Sequence, residues 1–155
     1  MALDDDVALF MRVPMLALLG DAALRILAIG AESRRLSSGQ VLFYAGDLAD
    51  AGYLIQEGAF MLEPDRPENG EAVTVGPATL LGEVAMLTDT VRQMTATAME
   101  PATVIRIPRS LFVKMLEGYP GAAKKLRDAF TLRAQQWTRE LDGVKTVLDR
   151  DYSKT

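Results

Sequence analysis

The rhythm of apolar positions changes twice along the chain. Up to residue 33 it is helical: Leu16, Leu19, Leu24, Ile26, Leu27 and Ile29 recur at roughly helical spacing. Asp21 stands just before "AALRILAIGA" and is expected as its N-cap. Arg12, Pro14, Asp21 and Arg25 interrupt residues 7–31, so this stretch predicts amphipathic helices and not a membrane span. From 34 to 108 the rhythm shortens. Alternating runs ("QVLFYA", "GYLIQ", "AFMLEP", "EAVTVG", "MTATAM", "TVIRIP") lie between the turn signals "GDLADAG", "QEG", "PDRPENG" and "MEPA". Short strands punctuated in this way predict a sandwich, roll or barrel, with "PDRPENG" as an exposed hairpin loop. From 109 the helical period returns. "SLFVKMLEGY" predicts a short helix capped by Ser110, and Pro120 opens a second helix over 120–148.

Composition narrows the chemistry. The 155 residues contain no cysteine and no histidine. That removes the usual thiol and imidazole nucleophiles, bases and metal ligands, so neither an enzyme nor a metal site is expected. The net charge of −4 gives no general attraction for nucleic acid. The acidic start "MALDDDVALF" has the wrong sign for a secretory signal, and a cytoplasmic location without membrane contact is expected.

One stretch stands out within the strand zone. "LLGEVAMLTDTVRQMTATA", residues 80–98, is apolar, small or hydroxylic, yet it holds a lone Glu83 and a lone Arg92, with Asp89 the only other charge. One reading is structural: an ion pair, or a carboxylate complementing the dipole of a short helix "EVAML". The other is a ligand site. Gly82 permits close backbone approach, the start of "EVAML" presents N–H groups, Arg92 offers a fork suited to phosphate, and Glu83 accepts a hydrogen bond from a hydroxyl. Together these describe a site for a sugar phosphate. No Walker-type or dinucleotide glycine loop occurs.

At these residues the sequence resembles the cyclic nucleotide-binding domains of catabolite-activator-type regulators, protein kinase A regulatory subunits and cyclic-nucleotide-gated channels. Their phosphate-binding cassette, Gly-Glu-x-Ala followed by a short helix and an Arg, is matched by "GEVAML", the link "TDTV" and "RQMT". "GQVLFYAGDLADAGYLIQEGAFML" resembles the upstream segment, with Gly46, Asp47, Tyr53 and Gly58 in matching places, and "TATAMEPATVIRIPRSLFVKMLEGYP" the downstream strands and hinge helix. The resemblance implies a mainly β fold: an antiparallel, jelly-roll-like β-roll over 34–108. It would be flanked by N-terminal helices over 1–33 and by hinge and long dimerisation helices over 109–148, all in one domain. It implies that Glu83 accepts a hydrogen bond from the ribose 2′-hydroxyl, that Arg92 neutralises the cyclic phosphate, and that N–H groups around Glu83, Val84 and Ala85 cradle it. The ligand would be cyclic AMP in preference to cyclic GMP. Gln93 and Met94 replace the usual small residues after the arginine. The Gln93 amide can donate to a phosphate oxygen, and Met94 is expected to point into the roll core.

On the long helix, Ala134, Leu141 and Leu148 repeat at seven and interleave with Phe130, Trp137 and Val144, like a short coiled-coil seam. The stripe either pairs two copies as a parallel homodimer or packs on its own roll. Trp137 is a seam residue or a cap for the purine. Thr138 is placed to reach a base edge, and Arg133 is a weaker candidate for the same pocket. No helix-turn-helix pattern follows, so an unidentified protein partner, not DNA, is the expected reader of the bound state. The competing function is a module that keeps the fold, binds no nucleotide and serves interaction alone.

Overall fold

Short helices lead into two facing sheets, and helices close the described chain. The computed structural model of the chain describes residues 2–132. Helices α1 (Ala2–Met11), α2 (Pro14–Ala17) and α3 (Asp21–Gly30) come first. Ten strands follow: β1 (Glu32–Leu36), β2 (Val41–Phe43), β3 (Leu48–Ala49), β4 (Ala51–Glu57), β5 (Phe60–Pro64), β6 (Val73–Val75), β7 (Leu80–Leu81), β8 (Thr90–Val91), β9 (Met94–Ala98) and β10 (Ala102–Pro108). Helix α4 (Arg109–Gly118) comes next, and helix α5 runs over residues 120–132. The strands form one sheet in the order β1-β10-β4-β7, a second in the order β2-β9-β5-β6, and a ribbon β3-β8. All the pairings are antiparallel. This is the expected mainly β roll with flanking helices, and "PDRPENG" is the exposed connection between β5 and β6.

Two apolar clusters share the first sheet as a wall. Because strand side chains alternate between faces, β4 sends Tyr53 and Ile55 into the roll, where they meet Phe60, Ala96 and Val104. Leu54, between them, faces the helices and joins Ile105 and Ile107 of β10 with Phe10, Leu24, Leu27 and Phe112. A strand covered on both faces reads as a continuous apolar run, which explains why five consecutive residues of β4 are buried. Phe10, Phe60 and Phe112 have no exposed surface, and such burial contributes about 1.5–3 kcal/mol per side chain.

Several local expectations change. Asp21 does not cap α3: the cap position belongs to Gly20, at φ +87°, and Asp21 is the first helical residue. Its carboxylate instead accepts from Arg25 Nε one turn on, at 2.9 Å. Ser110 does not cap α4 either. Strand β10 runs straight into the helix, Pro108 takes the cap position, and Ser110 lies exposed in the first turn. The helical zone ends two residues early, because Glu32 already pairs with Arg106 in β1. Ile26 and Ile29, expected on the apolar stripe, are 41% and 70% exposed, and Ala23, Leu24 and Leu27 make the buried face of α3. Among the described residues no helix is long and apolar enough to cross a membrane.

Candidate functional site

The cassette begins where β7 ends. Gly82 lies in the left-handed region (φ +79°, ψ 44°), a conformation that is costly for residues with a Cβ. It starts a single 3-10 turn, Glu83–Met86, in place of the longer "EVAML" helix. The turn is anchored from beneath by Ala85 and Met86, both fully buried, while Val84 is 48% exposed. The Ala85 N–H donates to the Gly82 carbonyl at 3.0 Å, and Leu87 and Thr88 donate to that of Val84. Of the three expected phosphate donors, Ala85 therefore already has a partner inside the turn.

Strand β8 leads out of the cassette and pairs with β3, which delivers Arg92 to the same place. The Arg92 N–H donates to Asp47 O, and Gly46 N–H donates to Arg92 O, both at 2.8 Å, so its backbone is clasped from two sides. Its side chain turns inward and is 8% exposed, the only buried polar or charged residue among those described. Nη2 donates to the Ala51 carbonyl at 2.7 Å. The guanidinium carbon lies 4.3 Å from the centroid of Phe43 and 5.3 Å from that of Tyr53, so two aromatic faces support the cation. Nη1 is buried without a hydrogen-bond partner. A Cβ on Gly82 would collide with that nitrogen, which is a second reason for glycine here. Burial pulls the Arg92 pKa below the ordinary arginine value and Arg106 adds to this, while Tyr53, Asp50 and Asp47 oppose it. An arginine keeps its charge in such a setting.

A cavity of about 420 Å³ opens over these residues, within the range of small-ligand sites. Gly82, Glu83, Val84, Ala85, Arg92 and Gln93 all line it, so sequence-predicted residues from both sides of the cassette meet in one place. Glu83 is half-buried and Gln93 exposed. Met94 differs from expectation: it is half-buried and forms part of the cavity wall with Phe43, Leu62 and Leu80. The lining thus combines polar side chains, Glu83, Thr90, Arg92 and Gln93, with apolar ones. Arg133, Trp137 and Thr138, and the seam beyond Phe130, lie outside the described residues. Among the described residues no group of His, Cys, Asp or Glu is arranged to hold a metal ion.

Sequence reasoning missed the aromatic bed of Phe43 and Tyr53. It also missed Arg109, the first residue of α4, which grips the cassette from the other side. Arg109 Nε donates to Ala85 O at 2.9 Å, Nη1 meets Asp89 at 2.6 Å, and Nη2 donates to Ala49 O. A basic residue at the strand-to-helix junction was the available signal, but its acceptors are mostly backbone carbonyls, which a sequence does not mark.

The chain is similar in sequence and fold to known proteins. A cyclic nucleotide-binding-like protein from Brucella abortus is 38% identical and superposes with a TM-score of 0.64 over 73% of this chain and 98% of that one. The N-terminal domain of a transcriptional regulator from Streptomyces coelicolor is 26% identical, with a TM-score of 0.77 over 86% of this chain and 94% of its own. The lysophospholipase nte1 of Neurospora crassa is 28% identical over 125 residues, 78% of this chain but 8% of that protein, so the chain spans a small part of that relative. Residues 33–119, from the first strand of the roll to the end of the hinge helix, match the family described as the cyclic nucleotide-binding domain. With the roll, the cassette turn and the inward arginine in place, the chain belongs to the cyclic nucleotide-binding domain family.

Proposed function

We propose that this chain is a sensor that binds a cyclic nucleotide in the cassette cavity and relays its presence through the C-terminal helices. The observation that carries the reading is the buried Arg92 Nη1, a charged donor without a partner beside the cassette turn. A buried unsatisfied donor costs about 1–3 kcal/mol, and an anion at this position would remove that cost. Arg92 would offset the cyclic phosphate together with N–H groups at the start of the turn. Glu83 would accept the ribose 2′-hydroxyl, and Gln93 would reach a phosphate oxygen. The base would lie against Phe43, Leu62, Leu80 and Met94, with Trp137, Thr138 or Arg133 approaching from the C-terminal segment. Cyclic AMP is the preferred ligand over cyclic GMP, because Gln93 stands where guanine-binding relatives often carry Thr.

The proposal extends to location and partners. The chain acts as one domain in the cytoplasm, without catalysis or a resident metal, and contacts a protein partner, not DNA. It pairs through Phe130, Ala134, Trp137, Leu141, Val144 and Leu148. Leu141→Glu is then expected to shift sedimentation from dimer to monomer, and unchanged sedimentation at low concentration refutes the pairing.

One observation favours the rival reading, a fold-retaining module that binds no nucleotide: the Ala51 carbonyl and two rings already hold Arg92. Titration with cyclic AMP and cyclic GMP separates the two. Binding at about 100 times the dissociation constant is expected to raise stability by roughly 2.7 kcal/mol in thermal shift. No heat and no shift with either nucleotide sinks the sensor reading, and a clear preference for cyclic GMP reverses the assignment of ligand.

A further inference from the structure

Behind the aromatic bed stands a second guanidinium. Arg106 on β10 is the direct cross-strand partner of Tyr53 on β4, so both side chains lie on the same face of the sheet. Its side chain is 15% exposed and is tied at two points: Nη2 to Asp50 at 3.2 Å and Nη1 to Glu32 at 3.5 Å. Burial pulls the Arg106 pKa down, but the Tyr53 hydroxyl, Asp50 and Glu32 outweigh it, and the net shift is upward. Tyr53 in turn lies 5.9 Å from Phe43, ring to ring, and the Arg92 guanidinium rests on both. Among the described residues, Arg92 makes one side-chain hydrogen bond, to Ala51. One bond does not by itself fix the plane of the fork, so the rings packed on it help to set that plane, and whatever fixes the rings bears on the direction of Nη1.

We propose that Arg106 is a positioning residue for this site: held by Asp50 and Glu32, it fixes Tyr53 and thereby sets the plane in which Arg92 meets an anion. Its own charge is not the active feature, because two carboxylates accompany it. The proposal rests on the sensor reading for its consequence, but the geometry it concerns exists without ligand.

The test therefore has a ligand-free arm. The Arg92 Nε–H resonance, assigned through Arg92→Lys, should carry an upfield ring-current shift in the parent protein. Arg106→Gln and Tyr53→Phe should each move that resonance towards the value of a solvent-exposed arginine. Each should weaken cyclic AMP binding by about three- to tenfold, and the double variant should be no worse than either single one, since both remove the same link. Arg106→Lys keeps the charge but lacks the planar fork, and should recover only part of the shift. If Arg106→Gln does not fold, this variant carries the same comparison. An Arg92 resonance that stays in place in the Arg106 and Tyr53 variants overturns the proposal, whatever happens to affinity. A parent protein that binds no cyclic AMP ends the functional reading, and the resonance then decides the positioning role alone.

Discussion

Two arginines flank the same four-residue turn, and they are finished to different degrees. On the hinge side, Arg109 uses Nε, Nη1 and Nη2 on Ala85, Asp89 and Ala49, and its backbone N–H donates to Asp50 O. On the cavity side, Arg92 is more deeply buried, yet has one carbonyl, two rings and one nitrogen without a partner. Arg109 behaves as a completed structural fastener whose stabilisation is present at all times. Arg92 keeps donor capacity that the proposed anion would use. On the proposed function, burial alone does not separate a structural arginine from a binding one, and the count of satisfied donors does.

The strongest way to break this contrast is Arg92→Ala. Hydrogen bonds to charged groups contribute about 1.5–3 kcal/mol, so cyclic AMP affinity should fall roughly ten- to hundredfold by calorimetry, while unliganded stability changes far less. Arg109→Ala should show the opposite profile. It is expected to lower unfolding free energy in urea by about 2 kcal/mol, because α4 loses its ties to the cassette at Ala85 O and to β3 at Ala49 O, with a smaller effect on affinity. If the two variants give the same profile, the distinction fails. Glu83→Gln sharpens the cavity side: it should cost about three- to fivefold in affinity, since a neutral amide still accepts but without charge assistance. A 2′-deoxy analogue should then show little additional loss on that variant, because both changes remove one contact. The smallest effect belongs to Asp89→Asn. Asp89 is 96% exposed, and surface pairs are largely screened, so no measurable change in melting temperature is expected at physiological salt.

The same contrast explains what was legible in the sequence. Glu83 and Arg92 were visible because a lone acid and a lone base in an apolar, small-residue stretch need a reason. Arg109 was not, because "TVIRIPRSLF" is an ordinary mixed segment and its acceptors belong to the main chain. Strands β2, β4, β5, β6, β9 and β10 followed from alternation and turn residues. Strands β3, β7 and β8 are two residues long, too short to carry a period of two. Strand β1, "ESRRL", is an edge strand with four exposed residues, so it has no apolar alternation to read. The aromatic bed was hidden for another reason. Phe43 and Tyr53 lie 49 and 39 positions before Arg92, and only the closed roll brings them beneath it.

The shared wall has a consequence for the order of assembly. Strand β10 lies between β1 and β4, and its register with β1 joins Glu32 to Arg106 across 74 positions. Closing a loop of that length costs chain entropy before either apolar cluster is complete. During synthesis, the N-terminal helices and the first strands must therefore wait, with Leu54 and Phe10 still uncovered, until residue 108 has left the ribosome. The last strand of the roll is the commitment step for both cores at once. A ribosome stalled before it should hold a chain that proteases digest freely, and one stalled well past the hinge helix should hold a resistant roll.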